Sequence, residues 1–248
     1  MSNNFVLGYD YNLYLNHQVQ IKIRAPIGHT IVVGGSGSGK STAVLYWLYK
    51  MKKEHKNIEL YIMDFKASHE FVGITDNYAE FEDIYDKLVE FYDMFCKLEE
   101  GGDGTIKILI IDEIAGMLSH LSMTKEGKEK ADKVRQIMSS ILMLARSKNC
   151  WLWLILQRAS TSIFPASSGA IDNFFVYVGF GRLSVESRKS LFACEHIEEE
   201  EHITFGMGRG IVLIDGQELQ TLMIPNVKKH KLLLKLQQMN MNSQPARV

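Results

Sequence analysis

The sequence predicts a single α/β domain with a mostly parallel central sheet flanked by helices on both faces. Short apolar runs of strand length alternate with segments of helical periodicity through the middle of the chain. This alternation is typical of parallel strands joined by crossover helices. The 248 residues contain no internal repeat and no low-complexity linker, and their number suits one large domain with its own core.

The first quarter of the chain predicts short strands, a glycine-rich loop and a helix. Residues 5–24 alternate loosely and predict one or two short strands in a hairpin. Residues 30–33 predict a short buried strand that leads into a glycine-rich loop. The following helix is predicted at 40–54, because lysines cluster near its end, where cations suit the helix dipole. A second strand is predicted at 58–63.

The middle of the chain continues the same alternation. Apolar residues at spacings of three and four predict an amphipathic helix at 79–99, and the glycine cluster at 101–104 ends it. An apolar strand is predicted at 106–111, a helix at 126–147 and another apolar strand at 151–156.

The C-terminal part predicts a further strand, a hairpin and a final helix that combines basic and apolar residues. These elements are expected at 174–180, 203–224 and 227–238. The domain then has three parts, namely an N-terminal hairpin region, a core, and a C-terminal helix with its tail, at 1–25, 26–224 and 225–248.

The composition is that of an ordinary globular protein, with 46% hydrophobic and 23% charged residues. A formal net charge of −1 excludes a global basic field that would attract nucleic acid, although a ring could have a basic channel alone. The three cysteines lack CxxC pairing and the eight histidines lack metal-ligand spacing, so neither a zinc site nor a disulfide framework is expected. No signal peptide or membrane span is recognisable, and a cytoplasmic location is expected.

The segment 34–41 fits the phosphate-binding pattern G-x-x-x-x-G-K-S/T without a mismatch. Its glycines allow backbone N–H groups to point at phosphate oxygens, and the following helix adds its positive N-terminal end. Lys40 is expected to reach the β- and γ-phosphates of ATP, Ser41 to bind Mg²⁺, and Thr42 to lie near the α-phosphate. The predicted nucleotide-binding residues are Gly34, Gly35, Ser36, Gly37, Ser38, Gly39, Lys40, Ser41 and Thr42.

Two acids directly follow the apolar strand at 106–111. A carboxylate at such a strand end can hold Mg²⁺, usually through water, and Asp112 has this position. Glu113 is then placed to orient or deprotonate the attacking water. A second acid in this position is typical of motor ATPases of the RecA and AAA+ type, so the pair predicts ATP hydrolysis.

Two further residues have two interpretations each from the sequence alone. Gln157 ends the strand at 151–156 and would lie near the γ-phosphate if that strand is adjacent to the Asp112 strand. It could equally be a polar cap. Arg146 could be an ordinary surface arginine, or in a ring it could reach the ATP of a neighbouring subunit.

Six segments, in order, resemble the motor domain of FtsK/SpoIIIE-type DNA translocases of the HerA/FtsK group. Met63-Asp64-Phe65-Lys66 resembles the strand-ending I-D-P-K of that family, and Ile111-Asp112-Glu113 resembles its V-D-E. Ala145–Ser160 resembles A-R-x-x-G-I-H-L-x-L-A-T-Q-R-P-S, with the same spacing from Arg to Gln. Pro26–Gly34 resembles the family's lead into the phosphate-binding loop. Glu186–Arg188 resembles its D-S-R segment, and Gly206–Gly208 resembles its L-G-M-G turn.

The resemblance implies a RecA-like (ASCE) P-loop NTPase fold and a hexameric ring with double-stranded DNA in its channel. It implies that Arg146 is an arginine finger acting on the neighbouring subunit and that Gln157 senses the γ-phosphate. Lys40, Asp112 and Glu113 keep the roles argued above. The implied activity is ATP-driven translocation of DNA.

The sequence also departs from the family pattern. Ala159 and Phe65 stand where the family has proline, and the helical region between Glu113 and Arg146 is longer than usual. Neither an N-terminal membrane region nor a C-terminal winged-helix module is recognisable. A plasmid, mobile element or virus is therefore the expected setting, with a role in conjugative transfer, replication or packaging.

Two other functions remain open at this point. One is a type VII secretion-like ATPase that acts on protein substrates, since some members of the same group do so. The other is a non-motor ATPase switch. Partner proteins would come from a replication, transfer or secretion system.

Overall fold

The computed structural model of the protein describes residues 4–166, 168–192 and 205–243. The following lie outside these ranges: residues 1–3 of the predicted N-terminal hairpin region, Cys194, residues 203–204 of the predicted C-terminal hairpin, and the tail at 244–248.

The described residues form one ten-stranded sheet flanked by seven α-helices. The strands, β1 to β10 in chain order, span Asn4–Asp10, Lys22–Pro26, Thr30–Gly34, Ile58–Asp64, Tyr78–Glu80, Ile106–Asp112, Cys150–Leu156, Val176–Phe180, Arg209–Ile214 and Gln220–Met223. The helices, α1 to α7, span Tyr11–His17, Lys40–Glu54, Ile84–Lys97, Ile114–Leu121, Lys125–Leu144, Val185–Leu191 and Lys229–Ser243.

Six strands form the parallel part of the sheet, in the order β8-β3-β7-β6-β4-β5. This arrangement confirms the predicted α/β fold with a mostly parallel sheet. Strand β7 lies between β3, which leads into the glycine-rich loop, and β6, which ends at Asp112. Because the carboxyl ends of parallel strands lie at the same edge, the loop and the acids share one edge of the sheet.

Strands β9, β10, β1 and β2 extend the sheet beyond β8 as antiparallel neighbours. The predicted N-terminal hairpin exists as β1 and β2, but helix α1 lies between its two strands. The side chain of Asp10 caps this helix by accepting a hydrogen bond from the N–H of Leu13 at 3.0 Å. Helix α1 was not predicted, because its seven residues are too few to show a clear helical period.

Three other elements, β5, α4 and α6, were also missed, and the helix predicted at 79–99 begins only at Ile84. Strand β5 occupies Tyr78–Glu80 and pairs with β4, so its conformation depends on a partner distant in sequence. Phe81 follows with φ of +43°, which ends the strand. The prediction from the apolar pattern at 79–99 was therefore correct for the buried face of the helix, but wrong for the residue at which the helix begins.

The two faces of the sheet are covered by different helices. Helices α3, α4 and α5 pack on one face, and α2 and α7 pack on the other. At the centre of the second face Trp47 of α2 lies 6.1 Å from Trp153 of β7, ring centroid to ring centroid, and donates a hydrogen bond to the carbonyl of Leu7 at 2.7 Å. None of the helices in the described ranges is both long and apolar enough to cross a membrane.

Candidate nucleotide-binding site

The glycine-rich loop between β3 and α2 has a backbone that only glycine adopts readily at two positions. Gly37 and Gly39 have φ of +75° and +98°, in the left-handed region. A Cβ on Gly34 would lie 2.6 Å from the carbonyl oxygen of Phe180, and one on Gly39 would lie 2.8 Å from the backbone nitrogen of Gly208. Side chains are therefore excluded from the base of the loop, and its backbone stays accessible to a phosphate group.

Lys40 begins α2 and its side chain folds back over the loop. Its Nζ donates hydrogen bonds to the carbonyl oxygens of Gly34 at 2.5 Å and Gly35 at 3.0 Å. Burial lowers the pKa of Lys40, and the charge of Asp112 opposes this effect while that of Lys66 adds to it. The ammonium is thus held at the mouth of the loop, where a phosphate would replace two neutral carbonyl partners.

Asp112 and Asp64 are in register at the ends of the adjacent strands β6 and β4. Both are buried, and burial followed by the charge of Asp64 raises the pKa of Asp112 to about 7. One oxygen of Asp64 accepts hydrogen bonds from the hydroxyls of Ser68 at 2.9 Å and Tyr78 at 3.1 Å. The other, Oδ1, is buried and has no hydrogen-bond partner among the described residues.

These carboxylates fit a divalent cation at this edge of the sheet. A buried carboxylate oxygen without a donor and a carboxyl group with a raised pKa both gain from a nearby positive ion. Oxygen ligands of this kind suit Mg²⁺. The residues that would hold it are the predicted pair Ser41 and Asp112. Asp64 was not predicted as a site residue, although it belongs to the I-D-P-K-like segment.

Glu113 has a strained backbone, with φ of +62°. Its N–H donates to the carbonyl oxygen of Ile155 on β7 at 2.9 Å, and its Oε2 lies 2.7 Å from the Nζ of Lys66. Ala67 and His69, in the segment after β4, also have positive φ. Backbone strain therefore concentrates at the carboxyl ends of β4 and β6, around the acid that was predicted to activate water.

Glu70 is a site residue that the sequence analysis missed. Its carboxylate is hydrogen-bonded to Lys229 at the start of α7 and lies beside Ser41. Burial would raise the pKa of Glu70, but the hydrogen bonds from Lys229 and Ser41 hold it below its usual value. The C-terminal helix is thereby connected to the residue predicted to bind Mg²⁺. No local signal could identify this contact, since Lys229 lies 159 residues further along the chain.

Gln157 follows β7 at the same edge of the sheet. The registers Val33↔Leu156 and Asp112↔Ile155 fix its position between the loop strand and the Asp112 strand. The condition that the sequence analysis left open is therefore met, because the Gln157 strand is adjacent to the Asp112 strand. The side chain is exposed.

Arg146 lies at the opposite edge of the sheet. It precedes β7, and the seven residues of that strand span roughly 20 Å. The guanidinium lies over the ring of Phe175, 5.2 Å from the centroid, and the side chain is exposed. The structure therefore brings Lys40, Asp112, Glu113 and Gln157 together, and it separates Arg146 from them within one chain.

No protein-family model and no curated protein matches the sequence. Three solved structures illustrate its structural similarity. A segment of EssC containing ATPases 2 and 3, from Geobacillus thermodenitrificans, is 15% identical with a TM-score of 0.68 and covers 98% of this chain and 50% of its own. The pCW3 conjugation coupling protein TcpA, in a monomer form with ATPγS, is 18% identical with a TM-score of 0.70. The match covers 96% of this chain and 71% of the TcpA chain. The genome packaging NTPase B204 of Sulfolobus turreted icosahedral virus 2, in complex with AMPPCP, is 15% identical with a TM-score of 0.51. The match covers 79% of this chain and 97% of the B204 chain.

The sheet order and the loop between β3 and α2 define the chain as a RecA-like P-loop NTPase fold of the ASCE class, in which a strand separates the loop strand from the acidic strand. Within that class, its fold is that of FtsK/SpoIIIE-like ATPases, as the resemblance implied. The chain spans half the length of the EssC segment.

Proposed function

We propose that this protein is an ATP-hydrolysing, ring-forming motor that translocates double-stranded DNA for a plasmid, a mobile element or a virus. The observation that supports it best is the division of the predicted catalytic residues between two edges of the sheet. Lys40 and Glu113 lie at the edge of the loop, whereas Arg146 lies at the far edge. A site that needs all three residues is complete only between two subunits.

Each residue has a defined task in hydrolysis. The loop backbone and Lys40 bind the β- and γ-phosphates, replacing the bonds from Lys40 to the loop carbonyls. Ser41 and Asp112 would hold Mg²⁺, which would supply positive charge against the phosphates. Glu113 takes a proton from the attacking water, and the amide of Gln157 orients towards the γ-phosphate.

The arginine of a neighbouring subunit completes the site. Charge that develops on the γ-phosphoryl oxygens is stabilised by the Arg146 guanidinium of the next copy, which Phe175 supports from beneath. A closed ring, with six subunits as proposed here, repeats this contact at every interface. Such a ring gives each ATP site a partner and leaves a central channel for DNA.

The names of two similar structures favour a nucleic acid cargo, since one is a conjugation coupling protein and the other a genome packaging NTPase. A protein cargo is the second candidate, because the cytoplasmic domain of the type VII secretion ATPase EccC from Thermomonospora curvata is similar over 98% of this chain, with 14% identity and a TM-score of 0.70. Similar proteins thus support both cargoes. A non-motor ATPase that switches a partner protein is the third candidate.

The decisive experiment measures ATP turnover with and without duplex DNA over a range of salt concentrations. The oligomeric size of the protein is measured alongside, in the presence of a non-hydrolysable nucleotide. A DNA motor requires turnover that DNA stimulates and that salt suppresses, because phosphate contacts release counterions. It also requires an oligomer. An oligomer whose turnover never responds to DNA would favour the protein-directed ATPase, and a monomer at every concentration would exclude the shared site.

A further inference from the structure

The Gly206–Gly208 turn and Tyr11 form a surface beside the loop that the proposed mechanism does not use. We propose that Tyr11, Met207 and Arg209 bind the adenine base of the nucleotide. This inference rests on the proposed function, because it requires ATP phosphates in the loop.

A nucleotide bound in the loop must extend in one direction. Asp112, Glu113 and Gln157, which act on the γ-phosphate, lie on the β7 and β6 side of the loop strand. The base is at the other end of the nucleotide, so it leaves the loop on the side away from them. On that side the sheet continues through β8 to β9, and Arg209 is the first residue of β9.

The Gly206–Gly208 turn is hydrogen-bonded to the loop. The N–H of Gly208 donates to the carbonyl oxygen of Ser38 at 2.8 Å, and the carbonyl of Gly208 accepts from the N–H of Ile224 at 2.8 Å. A Cβ on Gly39 would lie 3.3 Å from Cγ of Met207. The Met207 side chain therefore lies next to the loop, yet it is 77% exposed.

The groups beyond Met207 have the chemistry of a base-binding surface. The guanidinium of Arg209 lies 4.8 Å from the centroid of the Tyr11 ring, and its Nη1 donates to the Tyr11 hydroxyl at 2.9 Å. Phe205 packs against Tyr11 with ring centroids 6.0 Å apart. Arg209 has no carboxylate partner within the described ranges. A thioether, an aromatic ring and a planar cation are groups on which purine bases stack.

Equilibrium binding of Mg²⁺-ATP and of Mg²⁺-tripolyphosphate tests the proposal, because tripolyphosphate has the phosphates of ATP but no base. Arg209→Ala and Met207→Ala should each weaken ATP binding by about tenfold, the usual range for loss of a stacking partner. Tripolyphosphate binding should stay within twofold of wild type, and this result also shows that the variants are folded. Met241→Ala is the matched control, since Met241 is a similarly exposed methionine at the far end of α7.

Two results would overturn the base site while leaving the phosphate site intact. In one, both ligands lose affinity equally, which would assign Arg209 to phosphate binding. In the other, neither variant changes ATP affinity, as expected if this surface contacts a neighbouring subunit or DNA. Wild-type protein that binds neither ligand would overturn the proposed function together with the base site.

Discussion

The ammonium of Lys66 lies 2.7 Å from the carboxylate of Glu113, at the ends of neighbouring strands β4 and β6. The same ammonium is among the charges that shift the pKa values of Lys40 and Asp112. Lys66 therefore belongs to the charged groups of the loop edge, on the side where the γ-phosphate is expected. Its side chain is 40% exposed, so it can move to a bound anion without the cost of leaving a buried site.

The first prediction is that Lys66→Met weakens the binding of ATP more than the binding of ADP. A charged hydrogen bond to the γ-phosphate contributes about 2 kcal/mol, which corresponds to a loss of roughly thirtyfold for ATP. ADP lacks that phosphate and should change by less than threefold. Isothermal titration with a non-hydrolysable ATP analogue and with ADP measures both affinities.

The control for this variant is Lys87→Met, because Lys87 forms a surface ion pair with Glu90 at 2.8 Å on α3. It should leave both affinities unchanged. Equal weakening of the two nucleotides by Lys66→Met would show that Lys66 acts on the loop as a whole.

The second prediction concerns Glu113→Gln. The amide has the same size as the carboxylate but cannot accept the proton of water, so ATP turnover should fall by about a hundredfold or more. Nucleotide affinity should remain within a few-fold, because the phosphate-binding groups are unchanged. Turnover under saturating ATP and equilibrium binding separate the two effects. Glu90→Gln is the control, and a Glu113→Gln variant with near wild-type turnover would exclude Glu113 as the proton acceptor.

Residues whose roles depend on local chemistry were the most predictable from the sequence. The phosphate-binding pattern and the helix after it depend on glycine flexibility and helix geometry, and α2 was predicted with the bounds that the structure has. The acids at the end of β6 follow directly from an apolar run. The position of Gln157 near the γ-phosphate could be predicted only on the condition that its strand is adjacent to the Asp112 strand, because this adjacency depends on strand order.

Contacts between distant segments were not predictable. Asp64 meets Asp112 only because β4 and β6 pair in one particular register, and a one-residue shift would point the side chain to the other face. Glu70 meets Lys229 only because α7 returns to pack against α2. These contacts, rather than the motif residues, set much of the electrostatics of the site.

The third prediction uses the distance between Arg146 and Lys40. If each ATP site takes its arginine from a neighbour, Arg146→Ala and Lys40→Ala should each abolish turnover alone, and their mixture should regain part of it. About one interface in four of a random 1:1 ring then joins an intact loop to an intact arginine, so recovery of up to about a quarter of wild-type turnover is expected. Turnover is measured after mixing subunits and allowing exchange.

The control for the mixing experiment is Arg24→Ala, an exposed arginine on β2, which should be active alone. A mixture that stays inactive, although both variants form rings of wild-type size, would rule out a shared site.

His29 provides a prediction about stability that does not involve the nucleotide. It is 1% exposed, its Nδ1 accepts a hydrogen bond from the N–H of Leu152 at 2.8 Å, and its ring lies 5.3 Å from that of Trp151. Burial lowers the pKa of His29 to about 4. The folded protein thus favours neutral His29, whereas the unfolded chain binds a proton near the ordinary pKa of 6.5.

The stabilisation by neutral His29 should therefore be complete above pH 6.5 and should be lost as pH falls towards 4. Between pH 7 and pH 5 wild type should lose about 2 kcal/mol more unfolding free energy than His29→Asn, whose amide oxygen can accept from Leu152 but does not titrate. Urea unfolding at both pH values measures this difference. The effects of all other titratable groups are the same in the two proteins and cancel in the comparison. His17→Asn, at an exposed position, should follow wild type. Parallel curves for wild type and His29→Asn would mean that His29 has the same pKa in the folded and the unfolded chain, and that its burial does not control its charge.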